Sequence, residues 1–169
     1  MAIKKQLEQN QVDTDHSNVV DSDEEIVRSA NSTIAEIFER DGEAFFRAAE
    51  SKIIARLLDG PPVVLSTGGG AFMRPENRDI IANRGVSLLL DADLELLWER
   101  VGHKDTRPLL RTKNPKQTLT EIYERRAPIY ALADFIVKTL PDYSIDDTTK
   151  AAIKILHTRA DVLAQGHVS

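Results

Sequence analysis

The stretch Val63-Val64-Leu65-Ser66-Thr67-Gly68-Gly69-Gly70 decides the fold. Five residues, mostly apolar and partly β-branched, follow Asp59-Gly60-Pro61-Pro62 and run straight into three glycines. A short apolar run between such breakers reads as a buried strand of a parallel sheet. Three glycines in a row cost conformational entropy, and they are reasonable where bare backbone must come close to a ligand. Upstream, residues 43–58 carry Phe45, Phe46, Ala49, Ile53 and Leu57 at helical spacing. Gly60, taking the left-handed conformation, and the two prolines are expected to stop that helix.

The alternation of helix and strand continues in both directions. Thr33 and Glu36 form a capping box ahead of Ile34, Ile37 and Phe38. Val19-Val20 ends a short strand running into Asp21-Ser22-Asp23. Downstream, the pattern predicts a helix over 75–84, a strand over 86–90 and a helix over 94–101. A loop follows to residue 117, then a helix opened by a Thr118/Glu121 capping box and interrupted near Pro128. A strand over 135–139 and a helix from Asp146 to about Leu163 complete the pattern. This order implies an α/β protein, a mostly parallel sheet flanked by helices. In such sheets ligands bind beyond the carboxyl ends of the strands, where Asp21, Asp23 and Gly68 to Gly70 fall.

The 169 residues suffice for one domain with its own core. The expected division is a polar, unstructured tail over 1–18 and a folded domain over 19–165. Without a cysteine, disulfides, thiolate metal sites and thiol nucleophiles are excluded. The four histidines are scattered and make no metal-ligand pattern. No apolar run approaches a membrane span and no secretory signal is visible, so a soluble cytoplasmic protein is expected.

Net charge is −5, and Met1 to Glu25 alone carries two lysines and seven acids. Trp98 to Arg126 is basic, with eight cations against four acids. This polarity suits an anion and a cation held together, and suits duplex nucleic acid poorly. Asp21 and Asp23, two apart on an extended segment, would point to one side and suit a hard cation or a proton acceptor. The other reading is a solvated acidic turn with capping duty. Arg47, one turn before Glu50, is either a surface ion pair or a guanidinium held to grip a carboxylate in a forked geometry. The run Lys104 to Leu110, with Arg107, is either a basic loop that closes over phosphates or a solvated loop. Arg125-Arg126, ahead of Ala127-Pro128-Ile129-Tyr130, offers a further anion clamp or mere surface charge.

Taken in order, these segments resemble the shikimate kinases, P-loop enzymes of the nucleoside-monophosphate-kinase-like group. The likeness spans about Val20 to Leu140. It rests on Val20-Asp21-Ser22-Asp23-Glu24-Glu25-Ile26, Ile37-Phe38 with Gly42-Glu43, Phe46-Arg47-Ala48-Ala49-Glu50, Ser66-Thr67-Gly68-Gly69-Gly70-Ala71, Arg107-Pro108-Leu109-Leu110 and Arg125-Arg126-Ala127-Pro128-Ile129-Tyr130.

The resemblance implies a three-layer P-loop kinase-like sandwich and transfer of the ATP γ-phosphate to the 3-hydroxyl of shikimate. Asp23 would bind the shikimate hydroxyls and act as base. Asp21 would help hold Mg2+, Arg47 and Arg126 would grip the carboxylate, and Glu50 would orient Arg47. Gly68, Gly69 and Gly70 would lie along shikimate. Arg107 would reach the phosphates from a lid, and Arg100 would lie by the adenine. ATP is the implied co-substrate and the implied state is a monomer without nucleic-acid or membrane partners.

One departure stands against the pattern. The family opens with a hydrophobic strand and G-x-x-x-x-G-K-[ST], whose amides and lysine hold phosphate. These 169 residues contain no Gly-Lys pair. The chain is therefore expected to lack that segment and the central first strand, by truncation or by degeneration. It is expected to bind shikimate, to bind ATP poorly and to turn over near background. The alternatives are a shikimate-binding remnant without a phosphate cradle, and a kinase of another small hydroxy acid.

Overall fold

The computed structural model describes residues 2–4 (backbone only), 19–102, 112–159 and 162. Five strands form one sheet in the order β2-β3-β1-β4-β5. They are β1 (Ala2–Lys4), β2 (Val19–Asp21), β3 (Val64–Ser66), β4 (Gly85–Asp91) and β5 (Phe135–Lys138). The pairs β2/β3 and β4/β5 are parallel, as the helix–strand alternation predicts. Between them lies β1, antiparallel to both neighbours, with Ala2 opposite Leu65 on one side and Ser87 on the other.

The segment 1–18, read above as an unstructured tail, thus contributes three residues to the middle of the sheet. The position expected to be empty is filled, with reversed strand direction. The physical reason is that β3 and β4 each present a row of backbone N–H and C=O groups there, and a short extended segment satisfies both rows. Residues 5–18 lie outside the described residues.

Among the described residues six α-helices flank the sheet: α1 (Ser22–Ala30), α2 (Ile34–Asp59), α3 (Pro75–Arg84), α4 (Leu94–Val101), α5 (Pro115–Tyr130) and α6 (Ile145–Leu156). The Thr33/Glu36 capping box opens α2 as expected. Inside α2, Gly42 sits at φ 80°, ψ 173°, which divides the element into the two helices the sequence pattern separates. Gly60 is extended, not left-handed, so the two prolines after it carry the stop. The helix after the basic loop starts earlier than predicted. Asn114 caps α5 by accepting from the Gln117 amide, and Thr118 lies within the helix, its hydroxyl bonded back to the Asn114 carbonyl. The sequence pattern missed a second capping box, Ser144/Asp147, which opens α6.

Two faces of the sheet are covered by different cores. On one, Val86, Leu88, Phe135 and Val137 pack with Leu156 of α6 and with Val162. On the other, Leu65 packs with Ile54 and Leu58 of α2, Ala71, and Ile81 of α3. A third cluster joins α1 to α2 through Ile26, Ile37, Phe46 and Ile53. The Arg56–Glu25 pair, at 2.7 Å, adds a polar tie between the same two helices. These cores fix α1, α2 and the end of β3 relative to one another, and that corner carries the site. Among the described residues no helix is long and apolar enough to cross a membrane.

Candidate functional site

Asp21 ends β2 and caps α1. Its Oδ1 accepts from the amides of Asp23 at 2.8 Å and Glu24 at 3.4 Å. Asp23 is already helical, so the two aspartates do not share one side of an extended strand as their spacing suggests. The capping duty weighed above as the plain reading is what Asp21 performs. Asp23 turns toward the glycines, and its Oδ1 is buried without a hydrogen-bond partner among the described residues. Burial, reinforced by the charge of Asp21, raises its pKa, and the charge of Arg47 partly offsets the rise.

Arg47 projects from α2. Its Nη1 donates to both oxygens of Glu50, at 3.1 and 2.9 Å, and its Nε to Glu43 at 3.4 Å. Glu50 is 1% exposed, so this is a held guanidinium and not a surface pair. Burial works against the charge on Arg47, but Glu50 and Glu43 outweigh it and raise the arginine's pKa. Burial raises the pKa of Glu50, against the pull of Arg47. The Arg47 guanidinium also lies 5.1 Å from the centre of the Phe46 ring, which fixes its plane further.

The three glycines meet three different side chains. A Cβ on Gly68 would stand 3.3 Å from the Asp23 carboxylate. One on Gly69 would stand 2.8 Å from the Tyr130 hydroxyl and 3.3 Å from Arg126 Nη1. One on Gly70 would stand 2.7 Å from Arg47 Nη1. None of the three has a positive φ. They are glycine for space, because the site's own acid, tyrosine and arginines close on the turn. Their carbonyls are engaged: Gly68 by the Ala71 amide, Gly69 by the Tyr130 hydroxyl and Gly70 by the Met73 amide. Among the described residues their own amides make no hydrogen bond.

Asp23, Arg47, Gly68 to Gly70 and Arg126, drawn from four segments far apart in the chain, therefore form one cluster. It combines a carboxylate, two guanidinium groups and a strip of bare amides. Such a set can orient a small acid that also carries hydroxyl groups.

The family model for shikimate kinase matches residues 11–157. The chain belongs to the shikimate kinase family. It is 57% identical over 144 residues to a shikimate kinase of Ruegeria pomeroyi, an alignment covering 85% of this chain and 74% of the relative. It is 56% identical to that of Cereibacter sphaeroides, covering 85% and 72%. Among solved structures, shikimate kinase from Acinetobacter baumannii in complex with shikimate superposes with a TM-score of 0.72 at 34% identity, covering 84% of this chain and 80% of the other. The enzyme from Aquifex aeolicus gives 0.72 at 32% identity, covering 84% and 82%.

Not every residue that the family likeness singles out joins the cluster. Arg100 lies exposed on the last turn of α4, with no hydrogen bond or ion pair to the glycine turn among the described residues. Arg107 and its loop lie outside the described residues. For Mg2+, the described residues hold no group of three carboxylate or imidazole ligands. One oxygen of Asp21 is spent on the cap, which leaves Oδ2, and Asp23 has an unpartnered oxygen. That donor set fits a magnesium ion that takes most of its ligands from phosphates and water. It does not fit a cation enclosed by protein.

Two residues here were not assigned roles from sequence. Tyr130 was noted only as part of a motif, and its spacing of four from Arg126 on a helix was the available signal. Glu43, the second partner of Arg47, stands four residues before it and carried the same signal.

Proposed function

We propose that this chain is a shikimate kinase, transferring the γ-phosphate of ATP to the 3-hydroxyl of shikimate. The observation that carries the reading is the cluster on Gly68 to Gly70, which pairs one carboxylate with two arginines across bare amides. Arg47 and Arg126 bind the shikimate carboxylate, and Glu50 and Glu43 keep Arg47 aimed. The amides of the glycine turn lie along the ring. Asp23 accepts hydrogen bonds from ring hydroxyls and takes the 3-hydroxyl proton as that oxygen bonds to the γ-phosphorus of ATP, while the bond to the β–γ bridging oxygen breaks and ADP leaves. A raised pKa makes Asp23 a better proton acceptor than an ordinary surface aspartate. Magnesium, held by Asp21 and the nucleotide phosphates, would neutralise charge on the transferred group. The enzyme acts on small molecules, as a monomer in the cytoplasm, with Arg107 on the phosphates and Arg100 at the adenine.

The same cluster is compatible with a second reading, shikimate binding without turnover, since the groups it gathers hold an acid whether or not phosphate moves. Calorimetry with shikimate and with Mg·ATP, run separately, and a coupled ADP-release assay test both. Heat with shikimate together with turnover supports the kinase. Heat with shikimate but background ADP release supports the second reading. No heat with shikimate overturns both.

A further inference from the structure

Tyr130 lies where α5 meets the glycine turn, and nothing in the reaction as derived uses it. Its hydroxyl donates to the Gly69 carbonyl at 2.6 Å, joining positions 61 residues apart. The same oxygen accepts from Arg126 Nη1 at 3.4 Å. Its single proton goes to the turn and one lone pair faces the guanidinium, so the two contacts use different capacities of one group. Tyr130 also lines two separate cavities. One, about 180 Å³, opens between the turn and β4, and the other, about 470 Å³, between β4, α4 and α5. Its hydroxyl is a bridge between the turn and Arg126.

The helix geometry makes the bridge directional. Arg126 and Tyr130 are four apart and share a face of α5. Pro128 between them has no N–H, so this last turn is held by fewer backbone bonds than the turns before it. In such a turn the position of an arginine head depends on what its guanidinium meets. Arg126 has no described acid partner, unlike Arg47, which has two. What it meets is the Tyr130 hydroxyl.

We propose that Tyr130 is the positioning residue for Arg126, tethering its guanidinium to the carbonyl of Gly69 so that it faces a carboxylate lying on the turn. This rests on the assignment of Arg126 to the acid. The two arginines are thus aimed by different means: Arg47 by carboxylates, Arg126 by a neutral hydroxyl. The neutral partner leaves the full positive charge of Arg126 for the substrate. The bridge also accounts for glycine at position 69, since a Cβ there would stand 2.8 Å from the hydroxyl and would have to displace it.

The test is a double-mutant cycle read by calorimetry with shikimate, on the full chain. Tyr130→Phe is expected to weaken binding roughly tenfold, the scale of one hydrogen bond to a charged group. Arg126→Ala weakens it more, and adding Tyr130→Phe to Arg126→Ala changes nothing further. Additive losses, or a Tyr130→Phe protein within twofold of wild type, overturn the proposal. If Tyr130→Phe fails to fold, Gly69→Ala serves instead, since its Cβ must displace the same hydroxyl. It is expected to lose affinity in the wild-type background and to lose none beyond Arg126→Ala in that background.

A second readout needs no ligand. Nitrogen-detected NMR of the Arg126 guanidinium should show hindered rotation in wild type and free rotation in Tyr130→Phe. Hindered rotation lost in the variant, in a protein that gives no heat with shikimate, keeps the tether and removes the shikimate assignment. Free rotation in both proteins overturns the tether itself.

Discussion

Arg47 and Glu50 form a pair in which one guanidinium nitrogen reaches both carboxylate oxygens, at 3.1 and 2.9 Å, with the carboxylate 1% exposed and the arginine a quarter exposed. The asymmetry defines the direction of the pair. Glu50 is buried on α2, and the Arg47 guanidinium it holds lies against Gly70. An acid so buried is costly unless paired, so the pair contributes both to the fold and to the aim of the arginine.

Removing the arginine therefore has two effects. Arg47→Ala should weaken shikimate binding by about 1.5–3 kcal/mol, the scale of a charge-assisted hydrogen bond. It should also lower stability, because Glu50 is left buried and unpaired. Adding Glu50→Gln should recover much of the stability and none of the affinity. Chemical denaturation together with calorimetry separates the two. Recovery of affinity in the double variant would refute the direct contact.

Gly70 and Gly68 are predicted to differ in a graded way. A Cβ on Gly70 meets the Arg47 guanidinium at 2.7 Å, whereas one on Gly68 meets Asp23 at 3.3 Å. The guanidinium is held by the buried Glu50, so a Cβ that displaces it disturbs the aim of the arginine and loosens that pair. Gly70→Ala should thus reduce affinity about tenfold or more and lower stability, by less than Arg47→Ala does. Gly68→Ala should reduce affinity less. Titration calorimetry beside thermal melts checks the order, and a Gly68→Ala loss exceeding that of Gly70→Ala contradicts it.

Asp23 titrates above the ordinary value of 3.8 because burial and the Asp21 charge disfavour its ionised form. Carbon-detected NMR should show its midpoint falling in Asp21→Asn, where the like charge is removed. It should rise further in Arg47→Ala, where the opposing charge is removed. For stability the sign is set by the raised value. The folded state holds the proton more tightly than the unfolded chain, so Asp23 favours folding at acid pH, and this advantage is lost as pH rises through its folded midpoint. Asp23→Asn should consequently raise the melting temperature at pH 7 and lose that gain in acid. It should also cut any turnover by about 10²–10⁴-fold, as expected for loss of a general base. A melting temperature lowered at pH 7 would contradict the burial cost placed on this carboxylate.

Gly42 divides α2 at φ 80° and ψ 173°, with nothing within 4 Å of a Cβ placed there. Space is ample and backbone conformation is the whole constraint. Gly42→Ala should destabilise the protein by about 1–3 kcal/mol, the cost of holding an L-residue in a region almost reserved for glycine. Denaturant melts measure it. An unchanged midpoint would mean that the two halves of α2 are joined in some other way.

Much of this was readable from spacing. The helix over Pro75–Arg84 and that over Leu94–Val101 match the pattern to the residue, since proline, aspartate and glycine mark their ends. For Asp23, Arg47 and Arg126 the residues alone left surface charge and site both open, and it was the resemblance to the shikimate kinases that put them in one pocket with Gly68 to Gly70. What spacing could not supply was direction. Asp21 and Asp23 are two apart, but the cap on α1 turns the chain between them into helix, and same-side reasoning for a strand then fails. Gly60 has the composition of a left-handed stop, yet Pro61 and Pro62 already end the helix and leave it extended. Nor could β1 be found from pattern, because three residues, Ala2–Lys4, carry no period, and only the unpaired edges of β3 and β4 make them a strand.

One small acid is expected to be held at once by Asp23, Arg47, Arg126 and the glycine turn, and a crystal structure of the chain with shikimate bound would show whether it is. The carboxylate should lie between Arg47 and Arg126, the ring over Gly68 to Gly70, and a ring hydroxyl within hydrogen-bond reach of Asp23. Shikimate bound elsewhere, or bound with its carboxylate turned away from both arginines, would contradict it.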